Sequence, residues 1–344
     1  MGCGLMWSRL QALPPYQGGK RRLLGQIFKH LPGPEEAPVF VDAFLGGGSV
    51  SLFAKARGYQ VICNDIALRS QIVGEALVSN DRVTLAREDV TRLFVGNGDG
   101  PGFVEEHFAE KVVTRQHAQF LDTALPAARA APGAKKWLLL LLLVKYVFRM
   151  RPMGNFGAKT IVEQAEAGEW EEMNHNYVRD MLARGVADHP RRVAEALRRQ
   201  VNQGVFSNGQ VNEVHRQDVF RFLESVEGDI LYLDPPYAGT SAYETALRPL
   251  DSILEGRMIQ TEPSDFSKRD GLQTLERLLE ASHHIPVWVL SYGNAEANLD
   301  DVVRLVARFR PVIAAEEFRY AHLTGLSAEE HRERNREFLV LARR

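Results

Sequence analysis

Apolar positions fall into short strand-like runs toward both ends of the chain, with helical spacing between them. Residues 39–44 read as an apolar strand running into Gly46, Gly47 and Gly48, and a helix is predicted over 49–57. A second strand at 60–63 ends at Asn64-Asp65. This β-loop-α-β order opens a doubly wound sheet. The cluster Gly96-Asn97-Gly98-Asp99-Gly100-Pro101-Gly102 breaks the pattern and marks a boundary. From 103 to about 212 the spacing is mostly helical. Strands return at 230–233 and 287–290 with a helix at 272–281 between them. Residues 318–320, a polar basic loop and a final strand at 337–341 close the pattern. The expected fold is α/β, with a sheet domain from residues 13–95 and 213–344 interrupted by a helical insert at 96–212.

Composition narrows the classes. The 344 residues are 45% hydrophobic and carry a formal net charge of −2, so nucleic-acid binding would have to come from local basic patches. The most apolar run, 137–144, is far short of the ~20 residues a membrane helix needs and reads as one buried helix. Residues 1–13 lack the pattern of a signal peptide. Cys3 is expected in a mobile N-terminus and Cys63 in a core strand, so neither a disulfide nor a cysteine metal site is expected. A reducing cytoplasmic setting, with no membrane, fits.

Two segments carry chemistry. Asp42-Ala43-Phe44-Leu45-Gly46-Gly47-Gly48 places glycines where a strand ends, so backbone can approach a ligand closely. Asp65 ends the next strand, where a carboxylate reaches ribose hydroxyls in nucleotide-binding folds. That pattern also suits a dinucleotide site or a tight connection. The second segment, Asp234-Pro235-Pro236-Tyr237, follows the apolar strand at 230–233. Two prolines remove backbone donors and leave carbonyls as acceptors. An exocyclic amino nitrogen is a poor nucleophile because its lone pair is delocalised into the base. Asp234 and the Pro235 carbonyl can each accept one N–H, which favours a tetrahedral nitrogen, and Tyr237 offers a face for an extruded base.

With these residues in view, the sequence resembles the Dam-like class of bacterial and phage DNA adenine methyltransferases, over about 13–342. Tyr16-Gln17-Gly18-Gly19-Lys20 is similar to the family's first motif, Asp42 to Gly48 to its cofactor motif (with Ala43 where proline is common), and Asp234 to Tyr237 to its catalytic motif. A shortened Gly154-Asn155-Phe156-Gly157 segment is similar to one the family carries ahead of that motif. Ser291-Tyr292-Gly293-Asn294 and Asn335-Arg336-Glu337-Phe338-Leu339 look like its late motifs.

The resemblance implies a Rossmann-like, S-adenosylmethionine-dependent methyltransferase sheet with an inserted, mostly helical target-recognition domain. It implies methylation of adenine N6 in double-stranded DNA by base flipping. Tyr16, Lys20, Asp42, Phe44, Gly46, Gly48, Asp65 and Asp234 would line the cofactor site. Asp234, Pro235, Pro236 and Tyr237 would be catalytic. Arg149, Arg151, Asn155 and Lys159 in the insert, and Arg332, Arg334 and Arg336 beside His331, are the candidate DNA contacts. The run Arg191 to Arg199 reads equally as a solvated helix face. A cognate restriction endonuclease and a nucleoid location are further expectations. Cytosine N4 is the alternative target. An inactive DNA- or cofactor-binding homologue, an RNA substrate and a nicotinamide oxidoreductase are the other readings, and the last leaves Asp-Pro-Pro-Tyr unexplained.

Overall fold

The apolar runs near both ends of the chain become neighbouring strands of one sheet. The structure, a computed structural model, describes residues 3–16, 18–96, 100–151, 159–236, 241–260, 265–267, 271–319 and 336–344. The chain divides into two compact units.

The first unit, residues 16–74, 208–244 and 262–344, holds the sheet. Its strands are β1 (Val39–Asp42), β2 (Gln60–Asn64), β3 (Glu213–His215), β4 (Ile230–Leu233), β5 (Val287–Gly293), β6 (Val312–Arg319) and β7 (Arg336–Arg343). They lie in the order β3-β2-β1-β4-β5-β7-β6. The first five are parallel, and β7 runs antiparallel to both β5 and β6. This is a Rossmann-like α/β sheet. β4 and β5 are buried along their whole length, which is why they read as continuous apolar runs and not as alternating strands.

Alternation along β1 sorts its side chains between two faces. Phe40 packs on Phe28, ring centroids 5.3 Å apart, and near Tyr59. On the other face Val41 joins Leu231, Leu233, Leu290 and Trp288 in a core covered by Leu275, Leu278 and Val302. Those last residues come from the helices Gly271–Ala281 and Leu299–Ala307. The chain passes from β1 outward to β2 and β3, then returns to place β4 on the other side of β1. The carboxyl ends of β1 and β4 therefore flank the switch point where open α/β sheets bind ligands.

The second unit comprises residues 1–15, 75–207 and 245–261. The sequence pattern places 75–95 and 245–261 with the sheet domain. In the structure Leu247, Leu250, Ile253 and Leu254 are buried within this helical unit. Its central helix, Ala134–Met150, contains the 137–144 run and packs against Arg115–Ala130 and Pro190–Gln203. The buried His117 and Tyr146 there are paired, as low dielectric favours. His117 Nδ1 meets the Tyr146 hydroxyl at 2.5 Å and its Nε2 the Val186 carbonyl at 2.8 Å. Burial lowers the His117 pKa, which suits a neutral ring.

The N-terminal stretch, expected to be mobile, instead forms the helix Cys3–Leu10. Lys145 Nζ, itself buried, donates to the carbonyls of Gln11 and Leu13 and ties this segment down. Cys63 is buried, forms no disulfide, and its Sγ donates to the Glu213 carbonyl at 3.5 Å. Among the described residues no helix is long and apolar enough to cross a membrane.

Candidate active site

β1 delivers Asp42 to its carboxyl end, and the turn that follows needs glycine twice: Gly46 has φ +52° and Gly48 φ +76°. Such left-handed backbone is costly for any residue with a Cβ. Gly47 is needed for a different reason. A Cβ there would stand 2.5 Å from Tyr16 Cβ, because Tyr16 packs across the loop. Asp65, one residue past β2, fixes the loop: its carboxylate accepts from Gly46 N at 2.8 Å and Ala67 N at 2.9 Å. Asp42 is buried and accepts from Ser51 Oγ at 2.6 Å and Phe44 N at 3.3 Å. Burial pushes its pKa up to about 7, the Ser51 hydrogen bond opposing and Asp234 adding to the rise.

Across the switch point, β4 ends at Leu233 and presents Asp234. Lys20, from the turn after Gly19, places Nζ 2.9 Å from Asp234 Oδ1 and 3.3 Å from Glu337 Oε1, and donates to Gly18 O. Lys20 is 4% exposed, Asp234 20% and Glu337 not at all. Burial raises the Asp234 pKa to about 6, with Lys20 pulling it down and Glu337 pushing it up. Ser291 Oγ donates to Glu337 Oε1 at 2.7 Å. Tyr232 lies two residues before Asp234, and its buried hydroxyl makes no hydrogen bond among the described residues.

Register explains this convergence. Asp42 pairs with Tyr232, Tyr232 with Val289, and Gly293 with Glu337. Period-two alternation then puts Asp42, Tyr232, Ser291 and Glu337 on one face. The antiparallel strand β7 begins where the parallel strands end.

Tyr16, Lys20, Asp42, Phe44, Gly46, Gly47, Tyr232 and Asp234 line one pocket, enclosing about 30 Å³, room for a single water. Phe44 meets Phe266 edge-on at 5.6 Å beside it. A larger cavity of about 630 Å³ lies in the helical unit, lined by Asn80, Arg82, Trp137 and Ser207 among others. It contains neither the glycine loop nor the Asp234 cluster, which both line the smaller pocket. Among the described residues no cluster of His, Cys, Asp and Glu is arranged to hold a metal.

The remaining candidates are scattered. Arg149 Nε donates to Arg184 O, at the end of the helix His175–Arg184. Arg151 stacks its guanidinium 4.4 Å from the Phe148 ring centre. Lys159 pairs with Glu163 on an exposed helix turn. Arg336 is half-buried and pairs with Glu317. In the helix Pro190–Gln203, Arg192 pairs with Asp188, Arg198 with Glu195, and Arg191 lies over Phe94. Pro236 closes the described part of its motif. Tyr237, Asn155, Arg332 and Arg334 fall outside the described residues. Sequence reasoning gave no role to Tyr232, Ser291 or Glu337. For Tyr232 the signal was present, since a residue two before Asp234 shares its face.

Comparison with known proteins bears on the same residues. The profile of the D12 class N6 adenine-specific DNA methyltransferases matches residues 16–156. The chain is 28% identical over 337 residues to the type II methyltransferase M2.HphI of Haemophilus parahaemolyticus, covering 95% of this chain and 96% of the relative. The profile match begins at Tyr16, takes in Lys20, the glycine loop and Asp65, and names adenine N6, so the cytosine alternative is not favoured. With a relative that aligns along nearly the whole chain, the likeness supports a Dam-like adenine-N6 DNA methyltransferase, the match to the D12 class itself covering residues 16–156.

Proposed function

We propose that the enzyme transfers a methyl group from S-adenosylmethionine to N6 of adenine in double-stranded DNA, with Asp234 as the acceptor that prepares the amino group. The observation that carries this reading is the buried Lys20–Asp234 pair at the end of β4, facing the glycine loop at the end of β1.

The residues present fit such a cofactor. The Gly46–Gly47 backbone forms a cradle that a Cβ would fill, and Asp65 stands beside it. Ile66, 70% exposed next to Asp65, offers apolar surface to a nucleoside base. The buried Tyr232 lines the same pocket beside Asp234. Because Tyr16 lies over Gly46 and Gly47, its ring must turn aside to open the cradle. When bound, the cofactor supplies an electrophilic methyl group on a sulfonium.

The chain's own residues do the rest. An adenine must leave the duplex to reach this depth, at a cost of a few kcal/mol. Asp234 and the Pro235 carbonyl accept its two N–H groups, and Tyr237 supplies the stacking face. Lys20 holds Asp234 Oδ1, so we assign Oδ2 to the amino group. With a pKa of about 6, Asp234 is mostly ionised at neutral pH and stabilises positive charge growing on the attacking nitrogen. Placement in line, more than proton transfer, lowers the barrier.

We assign target reading to the helical unit and phosphate contacts to Arg151, Lys159, Arg332, Arg334 and Arg336, with Asn155 among the base-reading candidates. The likeness to a type II methyltransferase supports a restriction-modification role with a partner endonuclease, in the cytoplasm where the nucleoid lies.

The test is direct. The protein is incubated with a tritium-methyl cofactor and unmethylated DNA, and the DNA is digested to nucleosides. Label in N6-methyladenine is the expected result. Label confined to N4-methylcytosine, or no label from a protein that binds the cofactor, would overturn the reading.

A further inference from the structure

We infer that Glu337 is a positioning residue for methyl transfer: through Lys20 it sets both the placement and the charge of the Asp234 carboxylate. The inference rests on the function proposed above and adds to it a residue far from the Asp-Pro-Pro-Tyr segment.

Glu337 has no exposed surface, yet it carries a carboxylate. Such a group is costly to bury and persists where partners hold it. One oxygen, Oε1, accepts from Ser291 Oγ at 2.7 Å and lies 3.3 Å from Lys20 Nζ. The other, Oε2, makes no hydrogen bond among the described residues. A residue kept only for stability would be better served by an apolar side chain of the same volume. The lysine is shared: the same Nζ sits 2.9 Å from Asp234 Oδ1.

Without Glu337 the ammonium would lose one of the two carboxylates that hold it. Anchored from behind by a carboxylate fixed on a strand, it holds Asp234 in one rotamer. β5 and β7 make that anchor rigid, because Gly293 pairs with Glu337 and Ser291 with Leu339 in the same ladder.

The charge balance points the same way. Lys20 carries one positive charge between two carboxylates. Asp234 also faces Asp42 from β1 and the Tyr232 hydroxyl within β4, while Ser291 of β5 faces Glu337. Glu337 therefore adds negative potential at Asp234 and raises its pKa, against the pull of Lys20. A more basic carboxylate is the stronger acceptor for an amino N–H, provided it stays ionised at working pH. Glu337 tunes that compromise.

The experiment compares Glu337→Gln with wild type in kcat, KM for DNA, cofactor affinity by calorimetry, and the pH profile of kcat. Glutamine keeps the volume and removes the charge. The expected result is a kcat lowered by roughly tenfold or more, cofactor affinity little changed, and an acidic limb shifted to lower pH. The shift follows because Asp234 loses a like-charged neighbour. Ser291→Ala, which removes an anchor without removing charge, should lower kcat less and leave the limb in place; it serves if Glu337→Gln does not fold. A Glu337→Gln enzyme with wild-type kcat and an unmoved limb or, failing that, a Ser291→Ala enzyme with wild-type kcat overturns the role of Glu337 alone. A wild type that methylates no adenine overturns the reading beneath it.

Discussion

Lys20 Nζ lies 2.9 Å from Asp234 Oδ1, although more than half the chain separates the two residues. The pair joins the Tyr16-to-Lys20 segment to the Asp-Pro-Pro-Tyr segment, and in the proposed reaction it makes Lys20 part of the acceptor. Lys20→Met should cost at least roughly tenfold in kcat. It should also move the acidic limb of the pH profile upward, because Asp234 loses the cation that opposes the burial-driven rise in its pKa. A steady-state pH profile decides. A limb that stays in place would detach Lys20 from Asp234.

Asp65 acts on the glycine loop through Gly46 N and Ala67 N. Asp65→Ala frees that loop and removes the carboxylate beside the cradle. Calorimetry should find cofactor binding weaker by roughly tenfold or more, about 1.4 kcal/mol. Equal affinity in the variant would take Asp65 out of the site.

Asp42 makes stability depend on pH. Its folded pKa, pushed up to about 7, exceeds that of an unfolded aspartate, so between about pH 4 and about pH 7 the folded state holds the extra proton. Stability from this group is then greatest in acid and declines as pH rises through that window. In Asp42→Asn the loss of melting temperature between about pH 5 and about pH 8 should be smaller than in wild type. Scanning calorimetry at both pH values tests it, and parallel losses would contradict the assignment.

Arg149 was a candidate phosphate contact, but its guanidinium closes the carbonyl end of the helix His175–Arg184. A basic side chain at a helix C-terminus satisfies an orphan carbonyl. Arg149→Ala should lower the melting temperature and leave the salt dependence of DNA binding unchanged. A shallower salt slope in the variant would return Arg149 to the DNA.

Much of the sheet was legible because parallel strands buried on both faces announce themselves as apolar runs. β1, β2, β4 and β5 were found that way, and so was the glycine loop between β1 and its helix. The edges were not. β3 is three residues, Glu213–His215, without an apolar run. β6 alternates half-buried and exposed positions along Val312–Arg319, so only its end was read. The helix Ser241–Glu255 was missed too.

The candidate site divides in the same way. Asp234, Asp65 and the glycines carry local signatures, because each must end a strand or turn a loop. The contact of Glu337 with Lys20 carries none: it depends on the register of β5 against β7, which alternation alone does not specify. The particular need for Gly47 was not legible either. It arises from Tyr16 packing over the loop and not from backbone angles.

One strand carries a consequence for how the enzyme comes into being. β7 follows β6 in the chain yet lies between β5 and β6. On the ribosome β5 and β6 emerge before the strand that joins them, β5 with one edge bare and β6 with no partner strand. The residue that braces Lys20 arrives with that joining strand. A nascent chain halted before Glu337 can own its glycine loop and its Asp-Pro-Pro-Tyr segment and still lack the brace behind its acceptor. Completion of the sheet and completion of the catalytic centre are thus one event in the protein's synthesis.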